Sequence, residues 1–213
     1  MSLKELKDLV KKGEGLQLEF KLKAAHPEKI VREIVAFANT EGGILLIGVN
    51  DDKILKGLKF ADEDDYILVK AIEKYCYPLI SYSIERIPIT DELEILKFEI
   101  HKSDQRPHYV KSYIPNQDSK SYIRVRDRTV QASKEVREIL KGKRKEKDLR
   151  FQYGEKEKQL IEYLSTNKYI TLLQFMSLAK VSRQIASRTL VLLSLSNVLK
   201  IEADEIEDRF LLS

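Results

Sequence analysis

The run Ile44-Leu45-Leu46-Ile47-Gly48-Val49 is framed by Gly42-Gly43 on one side and Asn50-Asp51-Asp52 on the other. A continuously apolar segment of this length, bounded by turn-forming residues, predicts a central strand. A central strand needs other elements to cover it, so the rest of the chain has to be read as the layers around this one.

The segments before it supply candidates. Ser2 can cap a first helix whose apolar positions Leu3, Leu6, Leu9 and Val10 follow a helical period and which stops at Gly13. Leu16 to Leu22 alternates strictly and predicts a half-buried strand. Pro27 suits the first turn of a second helix that turns Ile30, Ile34, Val35 and Phe37 inward and ends at Asn39-Thr40-Glu41-Gly42-Gly43. After the central strand, Asp62 to Tyr75 predicts a third helix with its acids at the dipole-positive end. Ser81 to Ile87, Leu93 to Ile100 and Ser121 to Val125 are β-rich and alternating, and Ser133 opens a short helix to about Leu140. The expected class is α+β, with a mixed sheet and helices over residues 1–140.

Lys141 to Asp148 lacks apolar periodicity and predicts a basic linker over residues 141–150. Residues 151–213 then offer helices at Lys156 to Leu164, Leu172 to Leu178 and Ser182 to Leu195, and short strands at Val198 to Ile201 and Arg209 to Leu212. Three helices followed by a hairpin form the winged variant of the helix-turn-helix. Arg183, Gln184, Ser187 and Arg188 fall on one polar face near the start of the third of these helices, and Arg and Gln suit bidentate contact with base edges. The hairpin, however, carries Glu202, Asp204, Glu205, Glu207 and Asp208 against Arg209 alone. Acids there repel a phosphate backbone, so duplex binding and dimerisation or partner docking both stay open for this domain.

The net charge of +4 conceals an asymmetry. Residues 1–100 hold 15 Lys+Arg against 19 Asp+Glu, residues 101–150 hold 15 against 7, and residues 151–213 hold 8 against 8. The middle stretch is where a polyanion is drawn. Arg124, Arg126 and Arg128 alternate as if along one strand and are expected to form a row for phosphates, with Tyr109, Tyr113 and Tyr122 near enough in sequence to stack on unpaired bases. Cys76 is the only cysteine, which fits a reducing compartment. The N-terminus lacks signal-peptide character and no apolar run approaches the ~20 residues of a membrane span. A cytoplasmic protein without membrane contact is expected.

No phosphate-cradling G-x-x-x-x-G-K-[ST] loop, G-x-G-x-x-G fingerprint or G-x-S-x-G elbow occurs, and three scattered histidines with one cysteine make no ordinary zinc site. What the sequence does contain is an ordered set: Glu14-Gly15-Leu16-Gln17-Leu18-Glu19-Phe20-Lys21, then Ala36-Phe37-Ala38-Asn39-Thr40-Glu41-Gly42-Gly43, then Ile47-Gly48-Val49-Asn50-Asp51-Asp52, and finally Tyr122-Ile123-Arg124-Val125 with Thr129 to Ser133. Together these resemble the Schlafen-type Alba domain, formerly labelled divergent AAA, over about residues 1–140. A winged helix after such a domain is similar to the arrangement of bacterial transcriptional regulators.

The resemblance implies nucleic-acid binding and, as an alternative, a metal-dependent endoribonuclease in which Glu14, Glu19 and Asp51 serve as catalytic and metal-binding carboxylates. Hard carboxylate oxygens can hold Mg²⁺ or Mn²⁺ to activate a water, and Lys21 could neutralise a phosphate oxygen. Residues five apart on a regular strand face opposite ways, so convergence of Glu14 with Glu19 requires a bend at Gly13 and Gly15. The leading expectation is a DNA-binding transcriptional regulator with no cofactor needed for binding, with DNA or RNA as partner and a homodimer compatible with the sequence. A protein-interaction or dimerisation module is the second alternative.

Overall fold

The computed structural model describes residues 1–112, 118–144 and 153–213. It contains two compact units, residues 1–131 and residues 132–213. Unit 1 begins with α1 (Leu3–Lys12), β1 (Leu18–Lys21), α2 (Pro27–Asn39), β2 (Gly43–Ile47) and α3 (Ala61–Tyr75). It continues with β3 (Cys76–Tyr77), β4 (Tyr82–Pro88), β5 (Glu94–Ile100), β6 (Tyr109–Val110), β7 (Tyr122–Val125) and β8 (Arg128–Gln131). Among the described residues no helix is long and apolar enough to cross a membrane.

The main sheet has the order β1-β2-β5-β4, with β1 parallel to β2 and the other pairs antiparallel. Because side chains alternate across a strand, β2 sends Leu45 and Ile47 to one face and Leu46 to the other. Leu45 and Ile47 join Ile34, Val35 and Phe37 of α2, Leu68 and Ile72 of α3, and Leu96 and Phe98 of β5 in one core. Leu46 joins Leu6 and Val10 of α1 with Phe20, Ile87 and Ile95 in a second. Burial on both faces is the physical reason that β2 is continuously apolar. β1 is shorter than the alternation of Leu16 to Leu22 predicts, because the Gly15 N–H turns back to donate to the Leu18 carbonyl at 2.9 Å.

The end of α2 ties this sheet to the remaining strands. Asn39 is only 1% exposed. Its Nδ2 donates to the carbonyls of His108 (3.0 Å) and Tyr122 (2.8 Å) and to Ser121 Oγ (3.1 Å), and its Oδ1 accepts from the His108 N–H at 2.7 Å. The amide thus stands in for a strand, pairing main-chain groups of two segments that lie beside α2. Gly43 follows because a Cβ there would sit 2.3 Å from the Phe37 ring, so only glycine lets the helix close on β2.

Unit 2 comprises α4 (Lys134–Arg144), α5 (Glu155–Thr166), α6 (Leu172–Ala179), α7 (Arg183–Leu195), β9 (Leu199–Glu202) and β10 (Arg209–Leu212). Its core gathers Leu160 and Leu164 of α5, Phe175 of α6, Ala186, Leu190 and Leu193 of α7, and Leu199 and Phe210 of the hairpin. Ile170 exchanges two main-chain hydrogen bonds of 2.9 Å with Phe210, adding one residue of strand to the hairpin. Thr171 and Gln174 form a capping box on α6, and Ser182 caps α7. The division at 131/132 precedes the expected linker, because α4 joins unit 2: Glu135 on α4 accepts from Ser187 on α7, and Ser133 donates to Asp208 ahead of β10. Residues 141–144 continue α4 instead of forming linker, and residues 145–150 lie outside the described residues.

His108 gives unit 1 a pH dependence. It is fully buried, with Nδ1 2.8 Å from the Pro78 carbonyl and Nε2 2.6 Å from Ser103 Oγ. A carbonyl only accepts, so Nδ1 carries the proton and Nε2 accepts from the serine. Burial holds the imidazole below its ordinary 6.5, the Arg106 charge acting the same way and the Pro78 hydrogen bond opposing. Below that value the unfolded chain takes up a proton that the folded chain resists, so His108 makes stability fall as pH drops through about 6.5 towards the depressed folded value. Denaturant titrations between pH 8 and pH 5 should show this loss, and the His108→Gln variant should be less stable at pH 8 but lose less on acidification. Equal slopes for the two proteins would contradict it.

Candidate nucleic-acid interface

The carboxylates expected to converge start from the edge of the sheet. Gly13 ends α1 with φ 82°, a backbone region that favours glycine, and turns the chain so that Glu14 reaches back along β1. The carbonyls of Gln17 and Lys21 accept from Ile44 and Gly48, both at 2.8 Å, so the main-chain groups of Leu18 and Phe20 point away from β2. Three of these groups are closed by the chain itself. The Leu18 carbonyl accepts from Gly15, the Phe20 N–H donates to the Glu14 carboxylate at 2.8 Å, and the Phe20 carbonyl accepts from Lys21 Nζ at 2.9 Å. Glu14 and Lys21 therefore occupy the place of a neighbouring strand.

Glu19 meets the β7–β8 hairpin through Arg124. Arg124 lies there with its side chain 1% exposed, donating to Glu19 Oε2 (3.0 Å), Glu33 Oε2 (2.7 Å), Thr129 Oγ1 (3.1 Å) and the Gly15 carbonyl (2.6 Å). Its guanidinium stands 5.0 Å from the Phe37 ring centroid, and its N–H donates to Thr40 Oγ1. Lys21 pairs with the second oxygen of Glu19. The expected arginine row is thereby corrected. Arg126, at φ 60°, and Asp127 form the turn of the hairpin, so Arg124 is paired with Thr129 across the ladder and Arg128 lies on the returning strand. Arg126 and Arg128 are exposed; Arg124 is core.

Burial of Glu14 among its neighbours raises its carboxyl above the ordinary range, and the charges of Glu19 and Asp51 add to the rise, while the Phe20 N–H and Lys21 oppose it. The charges of the trio thus act on one another, yet one oxygen of Glu14 is taken by the Phe20 N–H and both oxygens of Glu19 by Lys21 and Arg124, while Asp51 is exposed. Among the described residues no group of three His, Cys, Asp or Glu side chains is placed to hold a metal ion. Mg²⁺ or Mn²⁺ takes one or two carboxylates and completes its shell with waters and substrate phosphates, so an ion here would have to displace the Phe20 N–H from Glu14 or Lys21 from Glu19.

Of the aromatic candidates, Tyr122 is 8% exposed and packs into the core, Tyr113 lies outside the described residues, and Tyr109 pairs with Tyr77 across β3 and β6. On α7, Arg183, Gln184 and Arg188 are exposed. Ser187 is not: it is buried and donates to Glu135, because α4 covers that side of the helix. The acidic hairpin is also partly turned inward. Asp208 accepts from Ser133 Oγ and from the Asp204 N–H, and burial raises its carboxyl, with the charges of Glu135 and Asp204 adding to the rise. Arg209 stands 4.9 Å from the Tyr169 ring.

The residues that sequence reasoning missed are Glu33, Thr129 and His108. Glu33 and Arg124 are 91 positions apart, and no local pattern links them. Removing one member of a buried charge network leaves the others unpaired, so Arg124→Ala should cost unit 1 about 3–5 kcal/mol. Chemical denaturation checks this, with Arg126→Ala and Arg128→Ala expected within about 0.5 kcal/mol of the parent as exposed positions. Equal stability of all three variants would refute the placement of Arg124.

The Schlafen, AlbA_2 family model matches residues 14–133, which is 120 of 213 residues. Among solved structures, the N-terminal domain of a RecG-related protein from Nitrosomonas europaea is similar at 20% identity and a TM-score of 0.43, covering 55% of this chain and 86% of that one. The DIP2311 protein from Corynebacterium diphtheriae is similar at 17% identity and a TM-score of 0.43, covering 59% of this chain and 24% of that one. The matched span opens on Glu14, whose carboxylate closes the β1 edge, and ends two residues beyond unit 1; the chain belongs to the Schlafen AlbA_2 family.

Proposed function

We propose that this chain is a DNA-binding regulator of transcription, acting in the cytosol, in which unit 2 reads duplex DNA as a winged helix and exposed cations of unit 1 add affinity for phosphates. The observation that carries the reading is the order α5, Ile170, α6, α7, β9, β10, with Ile170 paired to Phe210 and with Arg183, Gln184 and Arg188 exposed along the first half of α7. In a winged helix the corresponding helix enters the major groove, where Arg and Gln make two-pronged contacts with guanine and adenine edges. Glu202 and Glu205 on the hairpin are exposed, so contact is assigned to the helix and not to the wing. Arg126 and Arg128 are the phosphate contacts proposed for unit 1.

Metal-dependent RNA cleavage through Glu14, Glu19 and Asp51 is the weaker reading, because Glu14 closes a sheet edge and Glu19 holds Arg124. Binding and regulation require no catalytic group.

Selection from a random-sequence duplex library, followed by mobility shift at several salt concentrations, tests the proposal. The parent should enrich a preferred sequence and weaken steeply with salt. The Arg183→Ala/Arg188→Ala variant should lose that preference, with about one unit of salt slope lost for each phosphate contact removed. Arg126→Ala/Arg128→Ala should weaken binding to all sequences alike. Undiminished selectivity in the α7 variant would sink the proposal.

A further inference from the structure

Unit 1 carries two exposed tyrosine rings, Tyr66 and Tyr77, each beside an ammonium, that neither the carboxylate cluster nor α7 accounts for, with half-buried Tyr75 and Tyr109 close to the second in the fold. On α3, Tyr66, Lys70 and Lys74 are spaced four apart and share a face opposite the buried Leu68, Ala71 and Ile72. Tyr66 is 65% exposed with Lys70 Nζ 5.9 Å from its centroid, and Lys74 Nζ stands 5.1 Å from the Tyr75 ring. The helix runs directly into β3, which pairs with β6 in the register Cys76↔Val110 and Tyr77↔Tyr109. Cys76 and Val110 pack into the core, so the alternation of a strand turns Tyr77 and Tyr109 outward as a direct cross-strand pair. Tyr77 is 61% exposed, with Lys111 Nζ 5.5 Å from its centroid, and Leu79 next to it is 75% exposed.

We infer that the outward Tyr77/Tyr109 pair with Lys111 is a binding platform for single-stranded nucleic acid. Large apolar rings left in water are costly, and a pair of them is suited to a flat, apolar ligand. Unpaired bases are such ligands, and they bring phosphates that the exposed Lys111 ammonium beside Tyr77 neutralises. Duplex DNA keeps its bases stacked internally and offers them no face, so the platform selects single strands. Acids crowd the Tyr66 end of this face: Asp62 and Asp65 pair with Arg86, Asp64 accepts from the Ala24 N–H, Glu63 is exposed and Glu73 pairs with Lys70 at 2.8 Å, so phosphate contact is assigned to Lys111 beside Tyr77, where Asp118 is among the acids nearest in sequence. The platform needs no base-edge contact and is therefore expected to be tolerant of sequence. It deepens the nucleic-acid reading only in the class of ligand, and it is separable from the duplex reading assigned to α7.

The full chain contains no tryptophan, so its tyrosine emission is directly readable, and stacked bases quench it. Titration with labelled oligo-dT and oligo-U, followed by anisotropy and by tyrosine quenching, should show binding by the parent. Tyr77→Ala/Tyr109→Ala should weaken it roughly tenfold or more, whereas Tyr77→Phe should retain it. Arg183→Ala/Arg188→Ala should leave it unchanged. The inference is overturned if the parent binds duplex but neither oligonucleotide, which leaves the α7 reading intact, or if the tyrosine variant binds as the parent does. Loss of both ligands by the parent overturns both readings. Self-association that disappears in the Tyr77 variant without a change in oligonucleotide affinity would make the face a protein-docking surface and also overturn the inference.

Discussion

The side-chain amide of Asn39 sits where the last turn of α2 meets two segments that have no place in the main sheet. With both its donor hydrogens and its acceptor used on His108, Ser121 and Tyr122, it pairs buried main-chain groups of two segments, and Ser121 Oγ supports it by donating to the same His108 carbonyl. An unpaired buried amide or carbonyl costs about 1–3 kcal/mol, so a single side chain that pairs several of them fixes the position of everything attached. What is attached here is the β7–β8 hairpin, and hence Arg124. Thr40, the next residue, accepts from the Arg124 N–H and so continues the same seam.

That seam decides the chemistry of the neighbouring acids. Arg124 enters a space lined by Glu19, Glu33 and Thr129 and stacks on Phe37, so Glu19 is a structural counter-ion. Buried charges persist only when paired and hydrogen-bonded, and each of these partners comes from a different element. Glu14 and Lys21 serve a second constraint, the open side of an edge strand. They close it with a carboxylate and an ammonium in place of another strand's backbone. Residues whose types suggest phosphodiester chemistry are thus occupied by the needs of the sheet.

In unit 2 the deciding contact is between α4 and α7. Glu135 accepts from Ser187, which removes that serine from the polar face on which it was expected and leaves Arg183, Gln184 and Arg188. The acidic hairpin is likewise less uniform than its composition, because Asp208 turns toward Ser133. Both differences arise from a helix that the sequence assigned to the other side of the boundary.

The sequence by itself determined the local elements. The apolar run of β2, the periodicity of α2 and α7, the capping residues Ser2, Thr171 and Ser182, and the turn before Gly43 all act over a few positions, where propensity and alternation are legible. It also determined the family, through motifs that each lie within one such stretch. Only the tertiary structure decided which charges are free. Arg124 and Arg126 differ by two positions and by nothing in type, yet one is sealed among acids 91 and 105 residues distant and the other stands in water at a turn. Ionic partners are set by where separate elements meet, and the energy of burying a charge depends on that meeting and not on its neighbours in the chain.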